Sequence, residues 1–144
     1  MATARKHEEL ECWQLAHELK VRIFKVLERP MVRQDTDYCR QIRKSSRSAP
    51  ALIAEGFARR HKEFKRYLEM AVAELGETRN HLRDGAECGH FDIEEYRDLW
   101  HLCYRIRGAS LGLIDYLERC IKAEEEKRRA ARKTSKRPQT KPDV

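Results

Sequence analysis

Four successive stretches of this chain repeat their apolar residues at the period of an α-helix, and none alternates as a strand does. That pattern restricts the chain to an all-α fold. In the first stretch, residues 8–28, Leu10, Trp13, Ala16, Val21, Phe24 and Leu27 share one broad face, while Leu15, Leu19 and Val26 form a narrower stripe on the far side. A bundle helix needs only one apolar face, so that second stripe predicts an oligomer interface. Pro30 is read as the stop of this helix.

The second stretch runs from about Asp35 to Ala58, with Asp35, Thr36 or Asp37 available as N-cap. Ile42, Ser46, Ala49 and Ile53 lie along one line, and Pro50 interrupts it. A proline there donates no hydrogen bond and clashes with the Ser46 carbonyl, which predicts a kink. The hydroxyls of Ser45, Ser46 and Ser48 are expected to satisfy part of the disturbed backbone. Opposite the apolar line, Arg40, Arg43, Lys44 and Arg47 follow one another at i, i+3, i+4 and i+7, placing four cations on one face.

The run Arg59-Arg60-His61-Lys62 marks a turn into the third helix, about 62–85, with Phe64, Tyr67, Leu68, Ala71, Leu75, Thr78 and Leu82 as its stripe. Gly85 and Gly89 supply stop signals, and Asp92 can cap a fourth helix running from Ile93 to Ile121. Gly108 and Gly112, one turn apart, are expected to admit a close neighbouring helix. Beyond Ala123 the apolar period vanishes, so residues 127–144 read as a frayed helix end and a disordered basic tail. The expected architecture is an antiparallel up-down-up-down four-helix bundle over residues 1–126, kinked at Pro50.

Length and charge narrow the function. The chain has 144 residues, enough for one domain, and a formal net charge of +7. Residues 40–66 carry net +7 and residues 122–144 net +5, leaving the remainder at −5. Two basic zones set against an acidic remainder suggest an anionic partner. No long apolar run marks a membrane span or a signal peptide, and five widely spaced cysteines read as buried or idle thiols in a reducing cytosol, so a cytoplasmic location is expected.

No phosphate-cradling, nucleophile-elbow or zinc motif occurs, so no enzyme, cofactor or metal site is expected. Glu87-Cys88-Gly89-His90 has the Glu-x-x-His spacing of di-iron bundles but spans a glycine-broken turn and has no second copy. His17 reads as a hydrogen-bonded core residue, and Glu55 as a buried acid paired with an arginine.

Leu10-Glu11-Cys12-Trp13-Gln14-Leu15-Ala16-His17-Glu18-Leu19 resembles the opening segment of the bacterial four-helix-bundle proteins first noticed in intervening sequences of large-subunit ribosomal RNA genes. The stretch from Gln41 to Arg59, with Gln41-Ile42-Arg43-Lys44, Pro50 and Ala54-Glu55-Gly56, is similar to that family's signature, with Leu52 where the signature has Asn. Glu63-Phe64-Lys65-Arg66-Tyr67-Leu68 resembles its third-helix opening. The resemblance spans roughly residues 8–121. It implies a homopentamer around a central channel, and a relation to the accessory variability proteins of diversity-generating retroelements, which bind nucleic acid and a reverse transcriptase.

The residues together indicate an oligomeric, non-enzymatic nucleic-acid-binding protein that contacts RNA or DNA phosphates. Its expected contacts are Arg40, Arg43, Lys44 and Arg47 on the second helix, with Arg59, Arg60, Lys62, Lys65 and Arg66 around the following turn. The alternative is a scaffold whose basic surface docks an acidic protein such as a reverse transcriptase.

Overall fold

The computed structural model describes residues 3–136 and Pro138, and all regular structure among them is helical. A short 3-10 turn, His7–Glu9, precedes α1 (Glu11–Leu27), α2 (Pro30–Arg33), α3 (Thr36–Phe57), α4 (His61–Glu87) and α5 (Ile93–Ser135). The four long helices form a bundle in which α1 packs on α3 and α5, and α4 packs on α3 and α5. One core runs through it, including Ile23, Leu27, Ile42, Ile53, Leu68, Leu75, Leu82, Ile106 and Leu117, all nearly inaccessible to water.

Local signals explain the boundaries. The Asp35 carboxylate accepts from the Tyr38 N–H at 3.3 Å and starts α3. Asp92 and Glu95 close a reciprocal capping box at the start of α5, at 2.8 and 3.2 Å. Gly89, at φ +81°, supplies the left-handed residue that ends α4. Pro30 does more than end α1: as the first residue of α2 it opens a short helix, where its missing N–H costs nothing.

Helix α3 continues through the buried Pro50 to Phe57. The nearby hydroxyls bond one turn earlier, Ser46 to the Ile42 carbonyl at 2.6 Å and Ser48 to the Lys44 carbonyl at 2.8 Å. Leu52, where the related signature has Asn, is partly buried against the core and asks for no hydrogen-bond partner.

Helices α3 and α4 approach closely because two glycines let them. A Cβ on Gly56 would stand 2.6 Å from the Tyr67 Cβ, and one on Gly85 would stand 2.7 Å from the Tyr38 Cζ and nearer still to its hydroxyl. Between these points the Thr78 and Ser45 hydroxyls lie 3.0 Å apart, and the Tyr38 hydroxyl donates to the His81 carbonyl at 2.7 Å. Contacts that move toward the start of α3 therefore move toward the end of α4.

Three expectations need correction. Leu15, Leu19 and Val26 do not form an outward stripe: they are 7, 2 and 6% exposed, inside the core. Because α1 meets both α3 and α5, its buried arc is centred near Ile23. Centring it on the large aromatics Trp13 and Phe24 rotates the face by roughly a quarter of a turn. Val21, read as core, is 39% exposed. Gly108 and Gly112 admit no neighbour among the described residues, since nothing there lies within 4 Å of a Cβ at either. Finally, residues 127–135 are helical, as the end of α5, where the sequence pattern suggested a frayed end and tail. The rest of that segment, apart from Lys136 and Pro138, lies outside the described residues.

Candidate nucleic-acid interface

The nine cations singled out in the sequence do not form one surface. Arg40, Arg43, Lys44 and Arg47 sit on the first half of α3, and Arg59, Arg60, Lys62, Lys65 and Arg66 surround the α3–α4 turn. Arg43 and Arg59 are separated by roughly 24 Å along the helix axis.

Within the first group, Phe24 of α1 is the organising residue. The guanidinium carbons of Arg43 and Arg47 stand 5.2 and 5.0 Å from the centre of its ring. A cation over an aromatic face is held by the ring quadrupole, by about 0.5–1 kcal/mol at an accessible site. Neither arginine forms an ion pair among the described residues, so their charge is fixed in place and left uncompensated. Two like charges on one ring repel each other, and an anion bound between them would relieve that repulsion.

The other two members are partly neutralised. Arg40 pairs with Asp37 at 2.6 Å, which holds the Asp37 carboxyl below the usual range. Lys44 is exposed and makes no ion pair among the described residues, but its charge acts on Glu74 of α4. Burial and the neighbouring Glu77 push the Glu74 carboxyl up, and Lys44 opposes them. A shallow groove of about 340 Å³ adjoins the row, lined by Leu27, Arg33, Thr36, Cys39, Arg40 and Arg43. Arg33 thus adds a cation that the sequence reading missed. It precedes the periodic part of α3, and only the fold of α2 brings it beside the row.

Around the turn the division is similar. Arg59 bridges Glu55 at 3.3 Å and Glu63 at 3.4 Å, and lies 4.7 Å from the centre of the Tyr67 ring. Lys65 lies between Glu69 at 3.6 Å and Glu118 of α5 at 3.3 Å. These two cations act within the structure. Arg60, Lys62 and Arg66 are exposed and form no ion pair among the described residues. Glu55 is exposed, not buried as its place beside Pro50 suggested, and its arginine partner is Arg59.

Other titratable groups have structural partners. Burial pushes the Cys12 thiol up to about 11 and the Cys103 thiol up to about 12, leaving both protonated and unreactive near neutrality. Cys39 donates to the Val32 carbonyl at 3.3 Å. His17 stacks on Trp13 at 4.8 Å, half-buried at the edge of the core. His90 meets the Asp35 carboxylate at 2.9 Å. Among the described residues, no three His, Cys, Asp or Glu side chains gather as a metal site would need, and no helix is long and apolar enough to cross a membrane.

The family model of the 23S rRNA-intervening sequence protein matches residues 8–110. The chain belongs to this family. The match spans α1 to α4 and the first half of α5, so the α3 row, Phe24 and the turn cations all lie within the intervening-sequence protein region. The end of α5 lies beyond it. No curated protein matches the chain.

Proposed function

We propose that this intervening-sequence family protein is a non-enzymatic, oligomeric nucleic-acid-binding protein that contacts phosphate backbones, of RNA first, through the exposed face of α3. The scaffold is an antiparallel up-down-up-down four-helix bundle bent at Pro50, acting in the cytoplasm. The family resemblance supports a homopentamer. One observation carries the reading: Arg43 and Arg47 are held over the Phe24 ring, and neither forms an ion pair among the described residues. Cations fixed along one helix face position a polyanion and read no bases.

The test is binding of the full chain to a short duplex RNA across a salt series. Four phosphate contacts per subunit give a log–log salt slope of about −3.6 on duplex DNA, a loss of roughly two decades over a fourfold rise in salt. Arg43→Gln with Arg47→Gln should shallow that slope by about two and cost on the order of tenfold in affinity, with helical signal unchanged. An unchanged slope removes α3 from the interface. Binding to an acidic protein that survived high salt would favour a scaffold docking a partner such as a reverse transcriptase through apolar contacts.

A further inference from the structure

We propose that the end of α5 is a basic arm that overhangs the α3–α4 turn, and that arm and turn together clasp the phosphate backbone of a nucleic-acid duplex. This rests on the nucleic-acid reading above but adds a second contact surface, in which the turn lies within the family match and the arm beyond it.

The last contacts of α5 with the bundle are made by Glu118, which accepts from Lys65 at 3.3 Å, and by Glu124, 2.6 Å from His61 Nδ1. Both partners stand at the start of α4. Beyond Glu124 the helix continues to Ser135 with every residue exposed, a projection of roughly 16 Å past the bundle. From Lys127 to Lys136 it carries six cations and no acid.

Helical register fixes where those cations lie. Glu118 and Glu124, about 120° apart around α5, both reach the start of α4, so the side that faces it lies midway between them. At about 100° per residue, Arg128 and Arg132 fall within about 20° of that midline, Lys136 within about 60° and Arg129 within about 80°. Lys127 and Lys133 lie about 120° away. Four cations therefore line the side of the arm that looks toward the turn, where Arg60, Lys62 and Arg66 are exposed and form no ion pair among the described residues. The start of α4 adds to this field, because its first turn has no side-chain cap. Two basic surfaces set at an angle repel each other, and a polyanion lying between them removes that cost.

The chemistry of the arm favours nucleic acid over the other polyanionic surfaces. Its far side offers Ala130 and Thr134 between Lys127 and Lys133, with no aromatic or large aliphatic residue. A protein interface needs an apolar centre, and a helix lying on a membrane needs a broad apolar face. A phosphate backbone needs neither.

Two variants of the full chain test this. In the first, Arg128, Arg129, Arg132 and Lys133 are each changed to Gln, which keeps helix propensity and removes charge. In the second, Arg129→Ala with Ala130→Arg and Arg132→Thr with Thr134→Arg keep composition and charge but turn two cations by about 100° or more away from the α3–α4 turn. A short duplex RNA is titrated over a salt series, with circular dichroism confirming the helix. The expected result is a slope shallower by two to four for the first variant and by one to two for the second. Unchanged binding by the first variant, with Arg43→Gln/Arg47→Gln still weakening it, would overturn the arm and leave the α3 reading standing. A second variant that binds like the native chain would overturn the directed clasp and reduce the arm to unspecific charge. Absence of duplex binding by the native chain would overturn the nucleic-acid reading itself, and the arm with it.

Discussion

At the scale of single residues, Glu95 does two jobs with one carboxylate. It completes the capping box of α5, and it receives both terminal nitrogens of Arg29, one of them at 2.9 Å, closing the junction after α1 onto the start of α5. The hydrogen bonds from Arg29 hold the Glu95 carboxyl down from 4.5 to about 2. A carboxyl depressed in the folded state stabilises the fold above its unfolded pKa, and that contribution is lost as the pH falls from about 4.5 toward 2. Glu95→Gln should therefore cost about 1–2 kcal/mol at neutral pH, and the gap to the native chain should narrow near pH 2. Thermal melts at the two pH values measure it; a gap that does not change with pH would show that the Arg29 pair contributes nothing. The same scale shows what could be read from the sequence at the candidate site. Arg40, Arg59 and Lys65 each have an acid three or four residues away, so their internal pairing was legible in helical spacing. Phe24 was not, because only the packing of α1 on α3 brings that ring under Arg43 and Arg47.

At the scale of elements, the faces of α3, α4 and α5 were legible because each has a clean apolar stripe. The face of α1 was misplaced for a physical reason: in a helix with two neighbours nearly every apolar residue lies near one edge of the buried arc, and aromatic size is a poor guide to its centre. The arm of α5 was missed because apolar periodicity reports packing, and the arm packs on nothing. Its helix rests on propensity: Ala, Lys, Arg and Glu dominate, and acids at Glu124 to Glu126 precede bases at the spacing that supports a helix end. Removal of residues 127–144 should therefore leave the bundle intact. The unfolding free energy of the 1–126 chain is expected within about 0.5 kcal/mol of the native value, with far-ultraviolet ellipticity reduced by the share of the arm. A truncation that lost cooperative melting would place part of the bundle's stability in the arm.

At the scale of the whole molecule, the proposed oligomer has to use surfaces other than the one the sequence suggested. Leu15 and Leu19 lie in the core, so Leu15→Glu with Leu19→Glu should unfold the chain, each loss costing roughly 2–5 kcal/mol, as large core truncations do, plus the burial of a charge. An apolar patch open to a second copy lies on the outer side of α5, where Tyr104 is 68% and Leu111 40% exposed beside Gly108 and Gly112. Small residues flanking exposed aromatic and aliphatic ones allow a neighbour's backbone to come close, and each side chain fully covered there contributes roughly 1.5–3 kcal/mol per subunit. That surface is clear of the α3 row, so assembly through it would leave the arginines of every subunit free and multiply their salt-dependent contacts with a single long polyanion. Tyr104→Glu with Leu111→Glu should therefore yield a folded monomer by light scattering and circular dichroism, with duplex binding weakened on long nucleic acids and nearly unchanged on short ones. A native chain that is monomeric at micromolar concentration would reject the oligomer outright; an oligomer that survives the double change would move its interface off α5.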